Sequence, residues 1–320
     1  MAQEQGLDDR IALTAEKIRA GKTSLGIEFG STRIKAVLID DTYTTIAAGD
    51  YGWASHLEDG LWSYSQEEIW TGLQTAYAAL AEDVENAYGE KLTRVGRIGF
   101  SAMMHGYLAF GKDGELLVPF RTWQNTNTSE AHEKLSELFQ YNIPERWSIA
   151  HLYQAVLNNE EHIGKVDFFT TLAGYVHWKL TGKKVLGVGD ASGMFPIDPT
   201  THTYETEFIE KFNAIPEVAA QPWKLADLLP EPLVAGTPAG TLTEEGAKLL
   251  DPTGCSRESH SLRRRAMLAP VWWPPTPYAC APATFPPAPP SSPWLYSNAS
   301  WNACTRKWTS SPLRQAISQA

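Results

Sequence analysis

A glycine followed by two hydroxyl side chains, Gly30, Ser31 and Thr32, interrupts a run of β-branched and aliphatic residues at positions 25–40. This pattern predicts a strand, a turn and a second strand. Because glycine lets the backbone approach a ligand closely, the N–H groups and the two hydroxyls of this turn could meet a polyphosphate. Lys35 is either a group that neutralises phosphate charge or a solvated lysine on an exposed strand.

Two further segments carry groups suited to binding hydroxyls. Met104 and His105 directly follow a predicted buried strand, and α/β sheets commonly place ligand contacts at strand ends. The imidazole could bond a ligand hydroxyl, or it could be a half-buried histidine with protein partners. Trp123 could stack on a ligand, and the amides of Gln124 and Asn125 both donate and accept hydrogen bonds. The alternative for these three residues is an ordinary polar loop.

The elements that must position these residues follow from periodicity. Ser65 and Glu68 form a predicted capping box, after which apolar residues recur at helical spacing until Gly89. Hairpins mixed with helices predict an α/β domain in which helices flank a mixed sheet. The other predicted elements are a strand at 44–48, a strand at 95–102, a hairpin that turns at Asp113 and Gly114, and helices at 129–141, 152–161 and 172–180.

Composition limits the class of protein. With 43% hydrophobic and 20% charged residues, the 320-residue chain can bury a sizeable core. A formal net charge of -10 argues against nucleic acid and anionic membranes as partners. Residues 1–23 resemble neither a secretory signal nor a transmembrane helix, so we expect a cytoplasmic protein with an N-terminal extension. Ile11, Leu13 and Ile18 predict a short amphipathic helix there.

Six segments, taken in order, resemble motifs of the FGGY carbohydrate kinases and most closely those of xylulokinases. The resemblance covers roughly residues 24–254. The segments are GIEFGSTRIK (26–35), LWSYSQEEIW (61–70), GFSAMMHGYLAF (99–110), TWQNTNT (122–128), GVGDASGMFPID (187–198) and PAGTLTEEGAKLL (238–250).

The resemblance implies an actin-like ATPase domain of the ribonuclease H-like type. It also implies a reaction that transfers the γ-phosphoryl group of ATP, with Mg²⁺, to a hydroxyl of a ketose or polyol. ATP and a small sugar are then the expected partners. The implied phosphate-binding residues are Glu28, Gly30, Ser31, Thr32 and Lys35, with Glu28 in place of the usual Asp as the metal-binding carboxylate. The implied substrate-binding residues are Met104, His105, Trp123, Gln124 and Asn125.

Several positions depart from the family pattern. Asn125 replaces the usual Asp, Asn127 replaces the usual Arg, and Ala173 and Gly174 stand where xylulokinases tend to carry Lys-Asp. These departures leave the identity of the sugar open. Asp190, in the Asp-Ala-Ser-Gly segment, has a helix-capping interpretation beside a role in the site.

The sequence changes character near residue 255. Eleven of the 21 prolines and all three cysteines lie from this point onward. The apolar residues there recur with neither helical nor strand period, which predicts an irregular C-terminal tail. The resemblance implies that a Gly-Asp segment opening the second domain, soon after Gly254, would supply the general base. No such segment follows Gly254, so we predict no catalytic base in the chain itself.

The tail has a second possible translation. Read one nucleotide earlier, the codons for residues 265–294 admit Gly-Asp-Ala-Gly-Thr-Gly and later Thr-Gly-Asn-Val-Ser-Ala-Gly-Thr-Ser, which resemble the family's second domain. We therefore hypothesise that one nucleotide was lost near the codons for Gly254 and Cys255. Residues 24–254 would then be the kinase N-terminal domain, and 255–320 a frameshifted tail in place of the second domain. The alternative is a genuine Pro-rich tail.

Two other functions stay open. A non-kinase actin-like ATPase would share the Gly30 hairpin but need not carry the Met104–His105 and Trp123 segments. A non-catalytic sugar-binding protein would explain the missing base without a frameshift. For the kinase interpretation, we expect half a cleft to bind ATP weakly and to turn it over negligibly.

Overall fold

The residues around Gly30 form a hairpin, as predicted, in the computed structural model, which describes residues 2–253 and 266–268. Its turn is closed by a hydrogen bond of 3.0 Å from the Gly30 N–H to the carbonyl of Arg33. The strands of the described residues are β1 Thr23–Phe29, β2 Arg33–Asp40, β3 Thr45–Gly52, β4 His56–Glu58, β5 Leu61–Ser63, β6 Arg97–Ala102, β7 Leu108–Phe110, β8 Phe168–Thr170, β9 Val185–Gly187, β10 Glu231–Leu233, β11 Pro238–Thr241 and β12 Ala266–Leu268.

The main sheet is mixed and has the strand order β11-β12-β6-β1-β2-β3. Strands β1, β2 and β3 are antiparallel neighbours, whereas β6 runs parallel to β1 and β12 runs parallel to β6. The strand β12 corrects the expectation of a wholly irregular tail, since its backbone pairs with β6 on one side and β11 on the other. Because β12 lies between β6 and β11, it supplies hydrogen-bond partners that the edges of these two strands would otherwise lack. The rest of 255–320 lies outside the described residues.

Helix α2, Gln66–Tyr88, covers one face of this sheet and has the predicted ends. Ser65 accepts a hydrogen bond from the Glu68 N–H while the Glu68 side chain accepts from the Ser65 N–H, and Gly89 ends the helix with φ of 67°. A Cβ on Gly49 of β3 would lie 2.2 Å from the carbonyl of Ala76, so glycine permits this close packing. The helices are α1 Ala2–Ala20, α2 Gln66–Tyr88, α3 Ser129–Phe139, α4 Ser148–Leu157, α5 Leu172–Thr181, α6 Val188–Ala191, α7 Thr206–Asn213, α8 Pro216–Ala219, α9 Leu225–Leu228 and α10 Glu244–Leu250, with a 3-10 helix at Ile163–Lys165.

The described residues bury two main hydrophobic clusters. The first lies between the main sheet, α2 and α5, and the second lies among α3, α4 and the short helices α6 to α9. Helix α4 begins four residues before its predicted start and ends at Leu157, because Asn159 adopts a left-handed backbone with φ of 51°. In α1, Ile18 is buried as an amphipathic helix requires, but Leu13 is 56% exposed.

The predicted hairpin at Asp113 and Gly114 forms only in part. The turn is present, since the Gly111 N–H donates to the carbonyl of Glu115 at 3.1 Å, but its arms meet through isolated bridges. Strand β7 pairs instead with β8, which lies between α4 and α5 in the chain. Within the described residues, no helix is long and apolar enough to cross a membrane.

Candidate active site

Two aromatic side chains hold the tip of the β1–β2 hairpin from behind. The carbonyl of Gly30 accepts a hydrogen bond from Nε1 of Trp53 at 2.7 Å, and the carbonyl of Ser31 accepts one from the Tyr64 hydroxyl at 2.7 Å. The Trp53 N–H donates to the carbonyl of Thr32 at 3.2 Å. The rings of Trp53 and Tyr64 are themselves in contact, with centroids 4.2 Å apart. Three consecutive carbonyls are thus directed toward the protein.

These contacts fix the direction of the N–H groups at the tip. In a trans peptide, the C=O and the following N–H point to opposite sides, and no described peptide bond is cis. The N–H groups of Ser31 and Thr32 therefore point away from the two aromatic rings, and neither has a hydrogen-bond partner within the described residues. Both residues are exposed. The tip offers N–H and hydroxyl donors that suit phosphate oxygens.

Glu28 and Lys35 lie on a half-exposed face of the main sheet, behind the hairpin tip. They are direct cross-strand partners, and Lys35 lies opposite Asp50 of β3, which forms an ion pair with Arg33. No group of three His, Cys, Asp or Glu side chains suited to a metal exists in the described part of the chain. A lone carboxylate fits a Mg²⁺ ion that keeps most of its waters and is held chiefly by nucleotide phosphates.

His105 follows β6 in a backbone conformation that non-glycine residues rarely adopt, with φ of 72°. Its Nδ1 lies 3.3 Å from the carbonyl oxygen of Gly193, where a Cβ would come within 2.6 Å of the ring. Because a carbonyl only accepts, Nδ1 carries the proton and Nε2 is an acceptor. The pKa of His105 is lowered to about 4, mainly by burial and further by the charge of Arg146. The imidazole is thus neutral at pH 7 and can accept a hydrogen bond from a hydroxyl.

The Trp123–Gln124–Asn125 segment does not face a ligand as a unit. Trp123 is 38% exposed, whereas Asn125 is 4% exposed. The Asn125 Oδ1 accepts from the Trp62 N–H at 2.8 Å, and its Nδ2 donates to the carbonyls of Trp62 at 2.9 Å and Thr122 at 3.2 Å. These bonds use both amide protons, so the structure assigns Asn125 to joining its own loop to strand β5. Oε1 of Gln124 is buried and has no partner among the described residues.

A cleft of about 330 Å³ brings the hairpin tip together with the predicted sugar segments. Of the predicted site residues, Ser31, Met104, His105 and Trp123 line it. Gly30 and Thr32 flank Ser31 in the hairpin, while Gln124 and Asn125 lie outside the lining. The lining residues are Ser31, Met103, Met104, His105, Trp123 and Arg146.

Two lining residues were not predicted from the sequence, Met103 and the charged Arg146. The carbonyl of Arg146 accepts a hydrogen bond of 3.5 Å from the N–H of Gly106, and the hydroxyl of Ser148 donates to the carbonyl of Gly106 at 2.5 Å. These bonds join the start of α4 to the loop that carries His105. The only sequence signal for Arg146 was a cation just before a mostly apolar helix, which is too common to indicate a site.

Asp190 is neither a helix cap nor a cleft residue. It lies within α6, where its Oδ2 accepts a hydrogen bond of 2.6 Å from the Thr171 hydroxyl, and burial raises the pKa of its carboxyl to about 7. Charged side chains would not fit at Ala173 and Gly174, where xylulokinases tend to carry Lys-Asp. A Cβ on Gly174 would lie 2.1 Å from Oγ1 of Thr170, and Ala173 is buried.

The mixed sheet with its antiparallel β1–β3 and parallel β6, flanked by helices, is the fold of the actin-like ATPases. Within this class, the sequence model of the FGGY family of carbohydrate kinases, N-terminal domain, matches residues 23–251. The chain belongs to the FGGY family, as the ordered motifs predicted.

Relatives and solved structures agree with this assignment. The chain is 23% identical over 235 residues to a xylulose kinase of Staphylococcus xylosus, covering 69% of this chain and 44% of that protein. It is 24% identical over 207 residues to a glycerol kinase of Thermococcus gammatolerans, covering 60% of this chain and 41% of that protein. The chain thus spans less than half the length of these relatives.

Among solved structures, a ligand-bound xylulose kinase from Lactobacillus acidophilus superposes with a TM-score of 0.61 at 18% identity, covering 78% of this chain and 48% of that one. A gluconate kinase from the same species gives a TM-score of 0.62 at 17% identity, covering 78% of this chain and 47% of that one. At this level of identity the two structures establish the fold alone.

Proposed function

We propose that the chain carries the phosphate-binding wall and part of the sugar-binding wall of an ATP-dependent sugar kinase. The complete protein would transfer the γ-phosphoryl group of ATP to a hydroxyl of a ketose or polyol. The observation that carries this proposal is that Ser31, at the hairpin tip, lines the same cleft as His105 and Trp123. Phosphoryl transfer requires the donor phosphate and the acceptor hydroxyl to be held side by side.

On the phosphate side, the outward N–H groups of Ser31 and Thr32 would bind the terminal phosphates. Glu28 would hold a water of the magnesium ion, and Lys35 would offset phosphate charge from the same face of the sheet. When bound, magnesium neutralises charge on the transferred group. This arrangement is supported by the three carbonyl contacts that orient the hairpin tip.

On the sugar side, Nε2 of neutral His105 would accept a hydrogen bond from a substrate hydroxyl, and Trp123 would stack on an apolar face of the sugar. We assign no contact to Asn125, because its amide is already committed to backbone groups. The general base is expected in the second half of the family's cleft. This chain alone should therefore bind nucleotide weakly and transfer phosphate negligibly.

The named relatives act on different acceptors, since they include kinases of xylulose, glycerol and gluconate. We therefore propose a class of acceptor, a polyhydroxylated small molecule, rather than one sugar. ATP and this acceptor would be the principal partners.

The test uses the purified chain with a panel of ketoses and polyols, with binding measured by ligand-observed NMR. We expect weak polyol binding that is lost in Trp123→Ala and reduced in His105→Gln. Trp62→Ala is a matched control, because Trp62 is 40% exposed and Trp123 38%, and Trp62 does not line the cleft.

Nucleotide assays on the same chain distinguish the alternatives. Rapid ATP hydrolysis that ignores added polyol would favour a non-kinase ATPase. Sugar binding without any nucleotide binding, even at saturating sugar, would favour a non-catalytic sugar-binding protein. Phosphorylation of a pentulose at ordinary kinase rates would contradict the expected inactivity of this chain.

A further inference from the structure

One residue sets the charge of the candidate cleft. Among its lining residues, Arg146 is the cation, no carboxylate is present, and His105 is neutral at pH 7. Within the described residues, the guanidinium of Arg146 forms no ion pair and no hydrogen bond. A guanidinium offers a planar set of N–H donors that matches a carboxylate through two parallel hydrogen bonds. The cleft therefore has a vacant donor set for an anion.

The position of Arg146 places this charge on the substrate wall. Its carbonyl accepts from the N–H of Gly106, the residue after His105, and the Trp147 N–H donates to the carbonyl of Pro144 at 3.0 Å. The charge of Arg146 also contributes to the lowered pKa of His105. By contrast, the contacts that hold the phosphate hairpin come from Trp53 and Tyr64.

We propose that Arg146 selects an acceptor that carries a carboxylate, so that among polyhydroxylated small molecules the sugar acids bind more tightly than the neutral ketoses or polyols. This inference rests on the proposed function, because it takes the cleft to be the acceptor site. A neutral polyol can donate a hydrogen bond to His105 and stack on Trp123, but the guanidinium of Arg146 then stays hydrated. A sugar acid adds a charge-assisted hydrogen bond at the same site.

The test compares two ligands that differ in one group. D-gluconate and D-glucitol share the configuration of their hydroxyls, and the carboxylate of the first is a hydroxymethyl group in the second. Binding of each to the full chain is measured by ligand-observed NMR at low and high salt, and the comparison is repeated with D-xylonate and xylitol. Because Arg146 is exposed, solvent screening limits the effect, and we expect the acid to bind roughly 2-fold to 5-fold more tightly.

Three variants test whether Arg146 causes the preference for acids over polyols. In Arg146→Gln the acid should bind no more tightly than the polyol, and Arg146→Lys should retain part of the preference. Arg97→Gln is the matched control, since it removes the same charge from an exposed position at the far end of β6 and should keep the full preference. Folding is checked by circular dichroism. If Arg146→Gln does not fold, two other measurements test the role of Arg146. These are the reduced acid preference of Arg146→Lys and the loss of the acid preference at high salt.

Each contrary outcome has a distinct meaning. Equal binding of acid and polyol to the unmodified chain, or an unchanged preference in Arg146→Gln, would overturn the inference and leave the proposed function standing. Stronger binding of D-glucitol 6-phosphate than of D-gluconate would overturn it in favour of a sugar phosphate. Weaker MgATP binding in Arg146→Gln, with the acid preference intact, would assign the guanidinium to the nucleotide. If neither acids nor neutral polyols bind, both the inference and the proposed acceptor site fail.

Discussion

Replacing Tyr64 with Phe removes one hydroxyl from behind the phosphate hairpin and leaves the ring in place. That hydroxyl donates to the carbonyl of Ser31 at 2.7 Å, and the Tyr64 side chain is 1% exposed. A hydrogen bond of this kind contributes a net 0.5–1.5 kcal/mol, roughly. Because Ser31 is exposed, a water molecule can replace the Tyr64 hydroxyl as the donor to its carbonyl. We therefore expect Tyr64→Phe to lower the free energy of unfolding by about 0.5–1 kcal/mol.

The larger effect should be on nucleotide binding. Without the hydroxyl, the peptide between Ser31 and Thr32 can rotate, and the Thr32 N–H is no longer held toward the ligand. The loss of about 1 kcal/mol of oriented hydrogen bonding corresponds to roughly 5-fold weaker binding of MgATP. Stability is measured by urea unfolding followed by circular dichroism, and nucleotide affinity by calorimetry.

Tyr43→Phe provides the control for Tyr64→Phe, because Tyr43 is 86% exposed and remote from the hairpin tip. It should change neither quantity. If Tyr64→Phe lost stability as expected but bound MgATP like the unmodified chain, the reasoning about peptide orientation would be refuted. If stability did not change either, the hydrogen bond to Ser31 would contribute nothing.

Three other predictions concern buried polar groups and the tail. Asn125→Asp should lower the free energy of unfolding by about 2–4 kcal/mol, because a carboxylate cannot donate to the two carbonyls that Nδ2 now contacts; urea unfolding should show no such loss in the exposed control Asn127→Asp. The pKa of Asp190, raised to about 7 by burial, lies above its unfolded value near 3.8. Its contribution to stability is therefore full below about pH 4 and is lost as the pH rises through 7. Asp190→Asn should remove this fall in the free energy of unfolding. If the free energy of unfolding of the two proteins changed with pH in the same way between pH 4 and 7, the prediction would be contradicted. Sequencing the gene across the codons for Gly254 and Cys255 should reveal a lost nucleotide, and an uninterrupted frame with no family-like alternative would contradict the frameshift.

The sequence predicted those elements whose signals are local. The capping box at Ser65 and the left-handed Gly89 set both ends of α2 through bonds that span three or four residues. The hairpin at Gly30 was predicted for the same reason, since its two strands are adjacent in the chain. The start of α4 was missed because Ser148 bonds Gly106, which lies 42 residues away.

The site shows the same division between local and distant causes. The identities of Ser31, His105 and Trp123 were predictable from motifs, and all three line one cleft. The role of Asn125 was not predictable, because its amide pairs with Trp62 of β5, which lies 63 residues away in the chain. Arg146 was missed because it acquires meaning only when the chain places it beside the loop of His105.

This dependence on distant residues bears on how far a motif can indicate a function. Gly30, Ser31 and Thr32 supply donors and conformational freedom, but the direction of those donors is set by Trp53 and Tyr64, which lie outside the motif. A chain that kept the motif and lost both aromatic side chains would leave the carbonyls of Gly30 and Ser31 free to turn toward the ligand, where they would repel phosphate. The phosphate-binding capacity of this hairpin should therefore be judged by its supporting aromatic residues as well as by its own sequence.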